Sequence, residues 1–356
     1  MTSLALGFIP LTDCAPLVVA QARGLFAEEG LSVTLSREAS WATIRDKVAV
    51  GALDAAHMLA PMALTATLGA GCEPTPMIAP LALAANGAAV TLSQSVAAAL
   101  SFAEPTAQAI GRALARHVHE RAGQGKPPLT FAVVFPFSIH NYALRYWLAE
   151  AGLDPDRDVR IVVVPPPRMV DQLRTGEVDG ISVGAPWNTV AVNEGLGRIA
   201  LRTSNFWRGG PDKVLGLTAA AAAADPGRLD ALLRALVRAQ AWADAPANRA
   251  ELVDLLAEPT HVGAAPSAIA AALDDEMVFL RGGVSAPRLE HARWLISQMR
   301  RWGQVDQSTD PGLVADQVYR PDLALAVLRS LNLAPEALPA PSLLFDGQGF
   351  EPGREA

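Results

Sequence analysis

Cysteine is almost absent from this 356-residue sequence. The two cysteines, Cys14 and Cys72, lie far apart and fit neither a CxxC pair nor the ligand spacing of a zinc site. We therefore expect no disulfide framework and no structural zinc, which is typical of a protein in a reducing compartment. Both cysteines are predicted to be small buried hydrophobic residues.

Charged residues and long apolar runs are also scarce. Charged residues make up 18% of the chain, the net charge is −7, and no run of Lys and Arg could follow a phosphate backbone, so direct binding of nucleic acid is not expected. Pro, Gly or charge interrupts each apolar stretch before the ~20 residues of a membrane-spanning helix. The N-terminus shows no basic region followed by an apolar core and a cleavage site. A cytoplasmic protein is therefore expected, or a periplasmic one if a leader has been removed.

The chain is long and rich in apolar residues, which make up 51% of it. A chain of this size is expected to fold as two lobes. In the first part, apolar strand patterns alternate with helical patterns, and Ser40 is placed to cap one of the helices. The predicted strands cover 4–9, 31–35 and 54–59, and the predicted helices cover 15–26, 41–50 and 61–70. Such alternation predicts a parallel sheet.

A second series of strands and helices begins after an apolar run at 77–92, which Asn86 and Gly87 interrupt. We interpret this run as a crossover between lobes, followed by a polar helical stretch at 96–124. Strands are then predicted at 129–135, 159–164 and 178–183, and helices at 138–151 and 168–175. The strand-to-proline pattern at 179–187 parallels the one at 54–62, which indicates two similarly built lobes.

The last third of the chain is predicted to be mainly helical, with helices at 226–243, 247–256, 266–274, 286–303 and 321–331. The predicted fold class is α/β, with two lobes, a parallel-sheet core in each lobe and a helical C-terminal region. Lobe 1 is expected to comprise residues 1–87 and 206–356, and lobe 2 residues 88–205. The hinge is expected at the two crossover segments.

Several longer strings resemble the nitrate- and bicarbonate-binding family of ABC-transporter solute-binding proteins and its cytosolic relative, the NasS-type nitrate sensor. They occur in the family's order and are GFIPLTDCAPLV (7–18), SREASWATIRDKVAVGALDAAHMLAPM (36–62), HNYALRYWLAEAGLDP (140–155), VVPPPRMVDQL (163–173), VDGISVGAPWN (178–188) and, more weakly, RRWGQVDQ (300–307) with VYRPDL (318–323). The resemblance implies the type II periplasmic-binding-protein fold, in which a ligand lies between two lobes joined by crossover strands.

The resemblance implies three principal ligand contacts, Trp41, His140 and Lys213. Nitrate is planar and spreads one charge over three acceptor oxygens, so its site needs donors and few carboxylates. An indole N–H can only donate, and a histidine in the first turn of a helix can donate beside the free backbone N–H groups. A lysine supplies the compensating charge. Ahead of His140 the chain reads FPFSI, where most of the family has a glycine-rich segment.

Four further residues are candidates for the ligand site: Thr12, Asn86, Gly87 and Gly184. Thr12 can act as a donor at the first major helix, and Asn86 and Gly87 lie on the crossover. Two nearby positions depart from the family, because Ala88 stands where a polar side chain is common and Ala185 where a glutamate is common. These departures leave nitrite and bicarbonate open as ligands beside nitrate.

Other polar residues near these positions have structural interpretations. Asp13 is predicted to cap the first major helix, and His57, on an apolar strand, is predicted to be a core histidine whose hydrogen bonds are satisfied. No group of His, Cys, Asp and Glu has metal-ligand spacing, so the calcium of some bicarbonate-binding proteins is not expected. No cofactor is expected either.

Three functions follow from the resemblance. The first is a cytosolic sensor in which nitrate closes the lobes and controls an RNA-binding antiterminator of the NasT type. The second is the substrate-binding component of a nitrate or bicarbonate ABC transporter, with a permease as partner. The third is a desulfinase-like or pyrimidine-synthase-like enzyme on the same fold, in which Cys14 near a helix N-terminus would be an activated thiolate. Because Cys14 has no evident His or Arg partners in the sequence, we predict a binding protein rather than an enzyme.

Overall fold

The structure is a computed structural model that describes residues 2–274, 277–333 and 343–348. Ten strands lie within these residues: β1 (Thr2–Phe8), β2 (Leu31–Arg37), β3 (Ala55–Leu59), β4 (Met77–Ala85), β5 (Ala88–Ser93), β6 (Thr130–Val133), β7 (Arg160–Val163), β8 (Gly180–Gly184), β9 (Gly197–Arg202) and β10 (Pro211–Thr218). They form two five-stranded sheets, with the orders β2-β1-β3-β10-β4 and β7-β6-β8-β5-β9.

Each sheet has a parallel core, as predicted. β1 pairs in parallel with β2 and β3, and β6 pairs in parallel with β7 and β8. The α/β fold with two lobes is thereby confirmed. Both sheets are mixed rather than purely parallel, because β10 runs antiparallel to β3 and β4, and β5 runs antiparallel to β8 and β9. These antiparallel strands belong to the two crossover segments. The chain passes between the lobes there, so the alternation of parallel strands and helices is interrupted.

Helices cover both sheets and make up most of the C-terminal third. Their bounds are α1 (Ala15–Ala22), α2 (Leu25–Glu28), α3 (Trp41–Ala49), α4 (Ala60–Leu68), α5 (Gln94–Ala99), α6 (Ala107–Gly123), α7 (Ile139–Glu150), α8 (Met169–Arg174), α9 (Trp187–Asn193), α10 (Thr203–Phe206), α11 (Ala219–Ala224), α12 (Pro226–Asp244), α13 (Arg249–Ala257), α14 (Pro266–Asp274), α15 (Leu289–Arg301), α16 (Pro311–Val318) and α17 (Pro321–Ser330). In the described part of the chain, none of them combines the length and apolarity that a bilayer span requires.

Two predicted helices are each divided in the structure. The helix predicted at 15–26 ends at Ala22, because Gly24 adopts a φ of 69° and starts the separate helix α2. The polar stretch predicted at 96–124 is two helices, α5 and α6, and the segment between them contains Pro105. Proline lacks an N–H donor and disfavours the α conformation in the residue before it, so a continuous helix is excluded there.

The C-terminal region packs against helix α7 as well as against the first sheet. Tyr142 Oη donates to Gln304 Oε1 at 2.7 Å, and Tyr146 Oη donates to Asp346 Oδ2 at 2.6 Å. The ring of Tyr146 also lies 6.2 Å from the Trp294 ring of α15. The lobe boundaries at 87/88 and 205/206 stay a prediction, and parts of lobe 1 as predicted, 334–342 and 349–356, lie outside the described residues.

A seam of hydrogen bonds joins the segment after β1 to the segment after β8. The backbone N–H of Thr12 donates to the carbonyl oxygen of Ala185 at 2.9 Å. Trp187 Nε1 donates to the carbonyl oxygen of Pro10 at 3.2 Å. Because these segments follow the ends of strands in different sheets, the two lobes are closed on one another.

The crossover between β4 and β5 turns at Asn86 and Gly87, both with positive φ, at 63° and 87°. A Cβ on Gly87 would lie 2.4 Å from Met277 Cε and 3.8 Å from Asp212 Oδ2. Glycine is therefore favoured there both by its backbone conformation and by the close approach of Met277. The interruption predicted at this pair is confirmed.

Gly87→Ala should destabilise the protein more than Gly24→Ala. Gly24 also has a positive φ, 69°, but nothing lies within 4 Å of its hypothetical Cβ, so its replacement is expected to cost about 1–2 kcal/mol of backbone strain. At Gly87 the terminal methyl of the buried Met277 must also move, which is expected to add about 0.5–1.5 kcal/mol of rotamer strain. Urea unfolding of both variants without ligand measures the difference; equal losses would contradict the packing argument.

Candidate functional site

Strand β10 brings a lysine and an aspartate together in the interior. Its pairing with β4 shifts register on both sides of Lys213, and such bulges redirect side chains that otherwise alternate between the two faces of a sheet. Lys213 Nζ contacts Asp212 Oδ1 directly and lies 2.8 Å from Asp13 Oδ2. All three side chains are buried. The expected cation is therefore present, but two carboxylates flank it where few were expected.

The three groups differ in charge near neutral pH. Burial, reinforced by the negative charge of Asp13 and opposed by Lys213, raises the pKa of Asp212 to about 7. Burial would raise the pKa of Asp13 too, but Lys213 and His57 hold it well below its usual range. Burial also acts to lower the pKa of Lys213, yet the two carboxylates overcome this effect and raise it. Lys213 is thus a cation and Asp13 an anion, while Asp212 titrates near neutrality.

His57 holds the other side of Asp13. Its Nε2 lies 2.9 Å from Asp13 Oδ1, and its Nδ1 accepts a hydrogen bond from the backbone N–H of Ile9 at 3.5 Å. Burial lowers the pKa of His57 in spite of the neighbouring carboxylate, so the ring is neutral with its proton on Nε2. Nδ1 therefore has a hydrogen-bond partner, whereas Nε2 has the close contact with Asp13 but no hydrogen bond of good geometry within the described residues. The prediction of a core histidine with satisfied hydrogen bonds holds for one of its two nitrogens.

The prediction that Asp13 caps the first major helix is wrong. Cys14 is the N-cap residue of α1, and no side chain makes a capping hydrogen bond there. The Asp13 carboxylate turns toward Lys213 and His57 instead. A buried carboxylate is stabilised far more by a cation and a ring N–H than by one backbone N–H at a helix end.

Trp41 begins helix α3, whose N-cap Ser40 accepts a hydrogen bond from Thr43 N at 3.2 Å. The cap is as predicted and fixes where the indole enters the interior. The ring packs against His57 with centroids 5.4 Å apart, and Lys213 Nζ lies 5.7 Å from its centre. The Trp41 side chain is 1% exposed, and its Nε1 has no hydrogen-bond partner among the described residues.

His140 lies in the first turn of α7, where Ser138 caps the helix by accepting from Asn141 N at 3.1 Å. Ser182 Oγ donates to the carbonyl oxygen of His140 at 2.9 Å and ties this turn to β8. The ring is fully buried, and neither of its nitrogens has a partner in the described part of the chain. Burial, together with the nearby charge of Lys213, lowers the pKa of His140 well below its usual value. The ring is therefore neutral and offers one N–H donor.

Thr12 supplies a further buried donor. Its side chain has no solvent exposure, and its Oγ1 has no hydrogen-bond partner within residues 2–274, 277–333 and 343–348. Buried polar atoms are nearly always hydrogen-bonded, and an unpaired one costs roughly 1–3 kcal/mol. The chain thus keeps unpaired donors of Thr12, Trp41 and His140 around one buried ammonium group. Such an arrangement can receive a small acceptor-rich anion.

The remaining predicted site residues form the walls rather than supply side-chain donors. Asn86 is buried, and its Oδ1 accepts from Gly209 N at 3.0 Å. A Cβ on Gly184 would lie 3.3 Å from Leu11 Cδ1 and 3.7 Å from Asp13 Oδ2. Gly184 therefore allows the two lobes to approach closely beside the charged cluster, as Gly87 does beside Asp212.

The two alanines that depart from the family occupy different surroundings. Ala88 pairs with Gly184 between β5 and β8, and its backbone N–H and carbonyl both bond to Thr203 Oγ1, at 3.2 and 2.9 Å. Ala185 lies in the seam, where its carbonyl oxygen accepts from Thr12 N. A carboxylate at position 185 would place another negative charge near Asp13. Its absence keeps the cluster at two aspartates.

Asp212 was not identified from the sequence, although a signal existed. It is an acidic residue directly before the candidate lysine in a strand that is otherwise apolar. Cys14, considered as a thiolate, is buried, and burial together with the charge of Asp13 raises its pKa far above its usual range. It is therefore a thiol and not an activated nucleophile. The described residues contain no group of three or more His, Cys, Asp or Glu side chains suited to a metal ion.

Comparison with known structures shows which proteins share this fold. The crystal structure of the periplasmic nitrate-binding protein NrtA from Synechocystis PCC 6803 superposes with a TM-score of 0.88 at 29% identity, covering 98% of this chain and 94% of that one. The alkanesulfonate-binding protein SsuA from Xanthomonas axonopodis pv. citri superposes with a TM-score of 0.67 at 16% identity, covering 90% and 98%. The second similarity concerns the fold alone.

The relatives found by sequence include the same kind of protein as the structural relative NrtA. The nitrate/nitrite binding protein NrtA of Synechococcus elongatus is 34% identical over 377 residues, covering 98% of this chain and 83% of that protein. The nitrate import ATP-binding protein NrtC of Synechocystis sp. is 36% identical over 369 residues, covering 98% of this chain and 53% of that protein, so this chain spans about half of its length. Residues 1–257 match the NMT1-like family. The resemblance inferred from the sequence motifs is confirmed at this level, and the chain belongs to the NMT1-like family.

Proposed function

We propose that this protein binds nitrate in the closed cleft between its two lobes. The observation that carries the proposal is a set of buried donors without hydrogen-bond partners in the described part of the chain, Thr12 Oγ1, Trp41 Nε1 and a ring nitrogen of His140, near Lys213. Removing these groups from water without partners is costly unless a ligand pairs with them. Nitrate has three acceptor oxygens and no donor, which matches that need.

The relatives support an oxyanion of this class. The proteins that share most of their length with this chain are named as nitrate/nitrite binding proteins, and others with comparable identity are named as bicarbonate transport ATP-binding proteins. Bicarbonate carries an O–H that needs an acceptor. Acceptors without a hydrogen-bond partner among the described residues, the second ring nitrogen of His140 and Asp212 Oδ2, also lie near Lys213. We therefore favour nitrate and nitrite on the names of the relatives and keep bicarbonate open as a third ligand.

Lobe closure is the step that connects binding to a downstream effect. Thr12 contributes its hydroxyl to the site and its backbone N–H to the seam with Ala185. An anion held by Thr12 therefore favours the closed arrangement, and a ligand shifts such an equilibrium by its differential affinity for the two states.

The closed state can serve two partners. As a cytosolic sensor, the protein would hold an antiterminator of the NasT type when nitrate is absent and release it when nitrate binds. As a transport component, the closed protein would deliver the anion to an ABC permease, a role that the names of the import relatives support. We favour the sensor on the resemblance of the sequence motifs to NasS-type proteins and keep the transporter as the second candidate.

Titration calorimetry with nitrate, nitrite and bicarbonate tests the site. Wild-type protein is expected to bind nitrate and nitrite. Lys213→Ala is expected to weaken nitrate binding by roughly tenfold or more, because a charge-assisted hydrogen bond worth about 1.5–3 kcal/mol is lost. Arg174→Ala, which removes an exposed cation on α8, is the matched control and should bind as wild type does. The absence of heat with nitrate and nitrite, or unchanged affinity in Lys213→Ala, would contradict the proposal.

Thr12→Val separates a ligand-binding hydroxyl from a structural one. Valine has nearly the shape of threonine but no donor, so nitrate should bind roughly 10- to 150-fold more weakly, as expected for about 1.5–3 kcal/mol. Without ligand, the variant should be as stable as wild type or more stable, because an unpaired buried hydroxyl has been removed. Calorimetry and urea unfolding measure the two effects.

Thr91→Val is the control for that experiment. Thr91 Oγ1 is buried too, but it donates to Asn188 Oδ1 at 2.8 Å. Its replacement should lower the free energy of unfolding by about 1–3 kcal/mol and leave nitrate affinity unchanged. If Thr12→Val instead destabilises the unliganded protein as Thr91→Val does, the hydroxyl of Thr12 has a structural partner and the site is wrongly assigned.

Co-purification distinguishes the two downstream roles. The protein is co-expressed with a tagged antiterminator of the NasT type and captured in buffer with and without nitrate. The sensor predicts a complex without nitrate that dissociates when nitrate is added, and Lys213→Ala should hold the antiterminator in both buffers. Failure to form a complex, or a complex indifferent to nitrate, would contradict the sensor and favour the transporter.

A further inference from the structure

The buried cluster has more negative than positive charge before any anion arrives. Lys213 faces Asp13 and Asp212, and His57 and His140 are neutral because burial lowers the pKa of both. With both aspartates ionised the net charge is −1, and a bound monoanion would make it −2. Two uncompensated charges without solvent contact are strongly unfavourable.

We propose that anion binding is accompanied by the uptake of one proton on the carboxylate of Asp212, which makes Asp212 the charge-balancing residue of the anion site. This inference rests on the proposed function. The proton comes from solvent and forms an O–H bond at Oδ2, Lys213 keeps its three protons, and no bond of the anion is made or broken. The cluster then has the same net charge with the anion as it had without it.

The geometry of Asp212 marks its carboxylate as the group that takes up the proton. Its Oδ1 contacts Lys213 Nζ, whereas Oδ2 is buried and has no hydrogen-bond partner among the described residues. An ionised carboxylate oxygen that is buried and receives no hydrogen bond is energetically unfavourable, and protonation removes its charge. The Asp13 oxygens also make no hydrogen bond of good geometry among the described residues. Asp13 differs in that each oxygen has a close contact, with Lys213 Nζ at 2.8 Å and with His57 Nε2 at 2.9 Å.

The histidines are less suited to take up the proton. His57 Nδ1 accepts from Ile9 N, and a proton there would break this hydrogen bond. His140 is fully buried beside the charge of Lys213, which lowers its pKa well below the usual value. A proton on Asp212 breaks no hydrogen bond that the described residues make.

Few titratable groups lie on the elements around β10, the strand that carries Asp212. β10 carries Lys213, the turn after β1 carries Asp13, β3 carries His57 and α7 carries His140, whereas the packed elements β4, α4 and α11 have no titratable side chain. Helix α3 also packs on β10, and its charged residues are Arg45, Asp46 and Lys47. Arg45 donates to the carbonyl oxygen of Gly71 and pairs with Asp46, and Lys47 pairs with Glu38, so each has a partner other than Asp212.

Asp212 borders a cavity of about 330 Å³, which Lys213 also lines. Four basic residues also line it: Arg208, Arg281, Arg288 and His291. Burial lowers the pKa of His291 to about 3, so this histidine is neutral. Arg208 and Arg281 are exposed, and the cavity therefore reaches the surface. A proton can reach Asp212 by this route.

The sign of the pH dependence follows from these positions. Without ligand, the pKa of Asp212 is raised to about 7 by burial and by Asp13, against Lys213, and a bound anion raises it further. Below the unliganded pKa, Asp212 is already protonated and affinity is constant. Between the unliganded and the liganded pKa, affinity is expected to fall by roughly tenfold per pH unit as pH rises. Above the liganded pKa it is constant again.

Calorimetry in two buffers measures the proton directly. Nitrate is titrated into wild-type protein at pH 8 in HEPES and in Tris, whose ionisation enthalpies differ, and the difference in heat gives the protons taken up per anion. We expect about one proton for the wild type at pH 8 and almost none at pH 5.5, where Asp212 is protonated beforehand. This comparison needs no variant.

Asp212→Asn assigns the proton to its site. The variant cannot be protonated there, so proton uptake should be lost and nitrate affinity should be nearly independent of pH between 6 and 9. Asp171→Asn, which removes an exposed carboxylate on α8, should keep the wild-type uptake. Asp212→Asn that still takes up one proton would overturn the assignment.

The wild type separates the two claims. Nitrate binding with equal heats in the two buffers at pH 8 would overturn the proton coupling and leave the proposed function standing. The absence of nitrate binding at pH 5.5 and at pH 8 would overturn the proposed function and the coupling with it.

Discussion

Lys213 lies without solvent contact between the carboxylates of Asp13 and Asp212, and the arrangement of the first sheet around the site depends on this contact. An unpaired buried ammonium group would be several kcal/mol less stable than a paired one. The bulge in β10, the turn after β1 and His57 on β3 are the elements that supply its partners. They fix a positive group beside the donors of Trp41, Thr12 and His140, which make no hydrogen bonds to other residues that the structure describes.

Those donors show where stability and function are opposed. A protein selected for stability alone would pair or remove a buried hydroxyl, an indole N–H and a ring N–H. Their environment also requires close packing, since Gly87 and Gly184 leave little space beside Asp212 and Asp13. The closed seam between Pro10 and Trp187 then keeps water from the site, which strengthens each electrostatic contact with an anion.

Much of the fold could be predicted from the sequence, because alternating strands and helices, capping serines and the turn at Asn86 and Gly87 are local signals. Ser40 and Ser138 cap the helices that carry Trp41 and His140. The partners of Lys213 could not be predicted in the same way. Asp13 and Lys213 are 200 positions apart, and whether Asp13 caps a helix or pairs with a lysine is decided by tertiary contacts alone. Asp212 depends on a bulge, which no local pattern marked.

A crystal structure of the protein with nitrate tests the central claim most directly. The account predicts a planar anion enclosed between the lobes, with oxygens within hydrogen-bond distance of Trp41 Nε1, Thr12 Oγ1, Lys213 Nζ and one ring nitrogen of His140. Nitrate bound elsewhere, for example in the cavity behind Asp212 lined by Arg281 and Arg288, would contradict it.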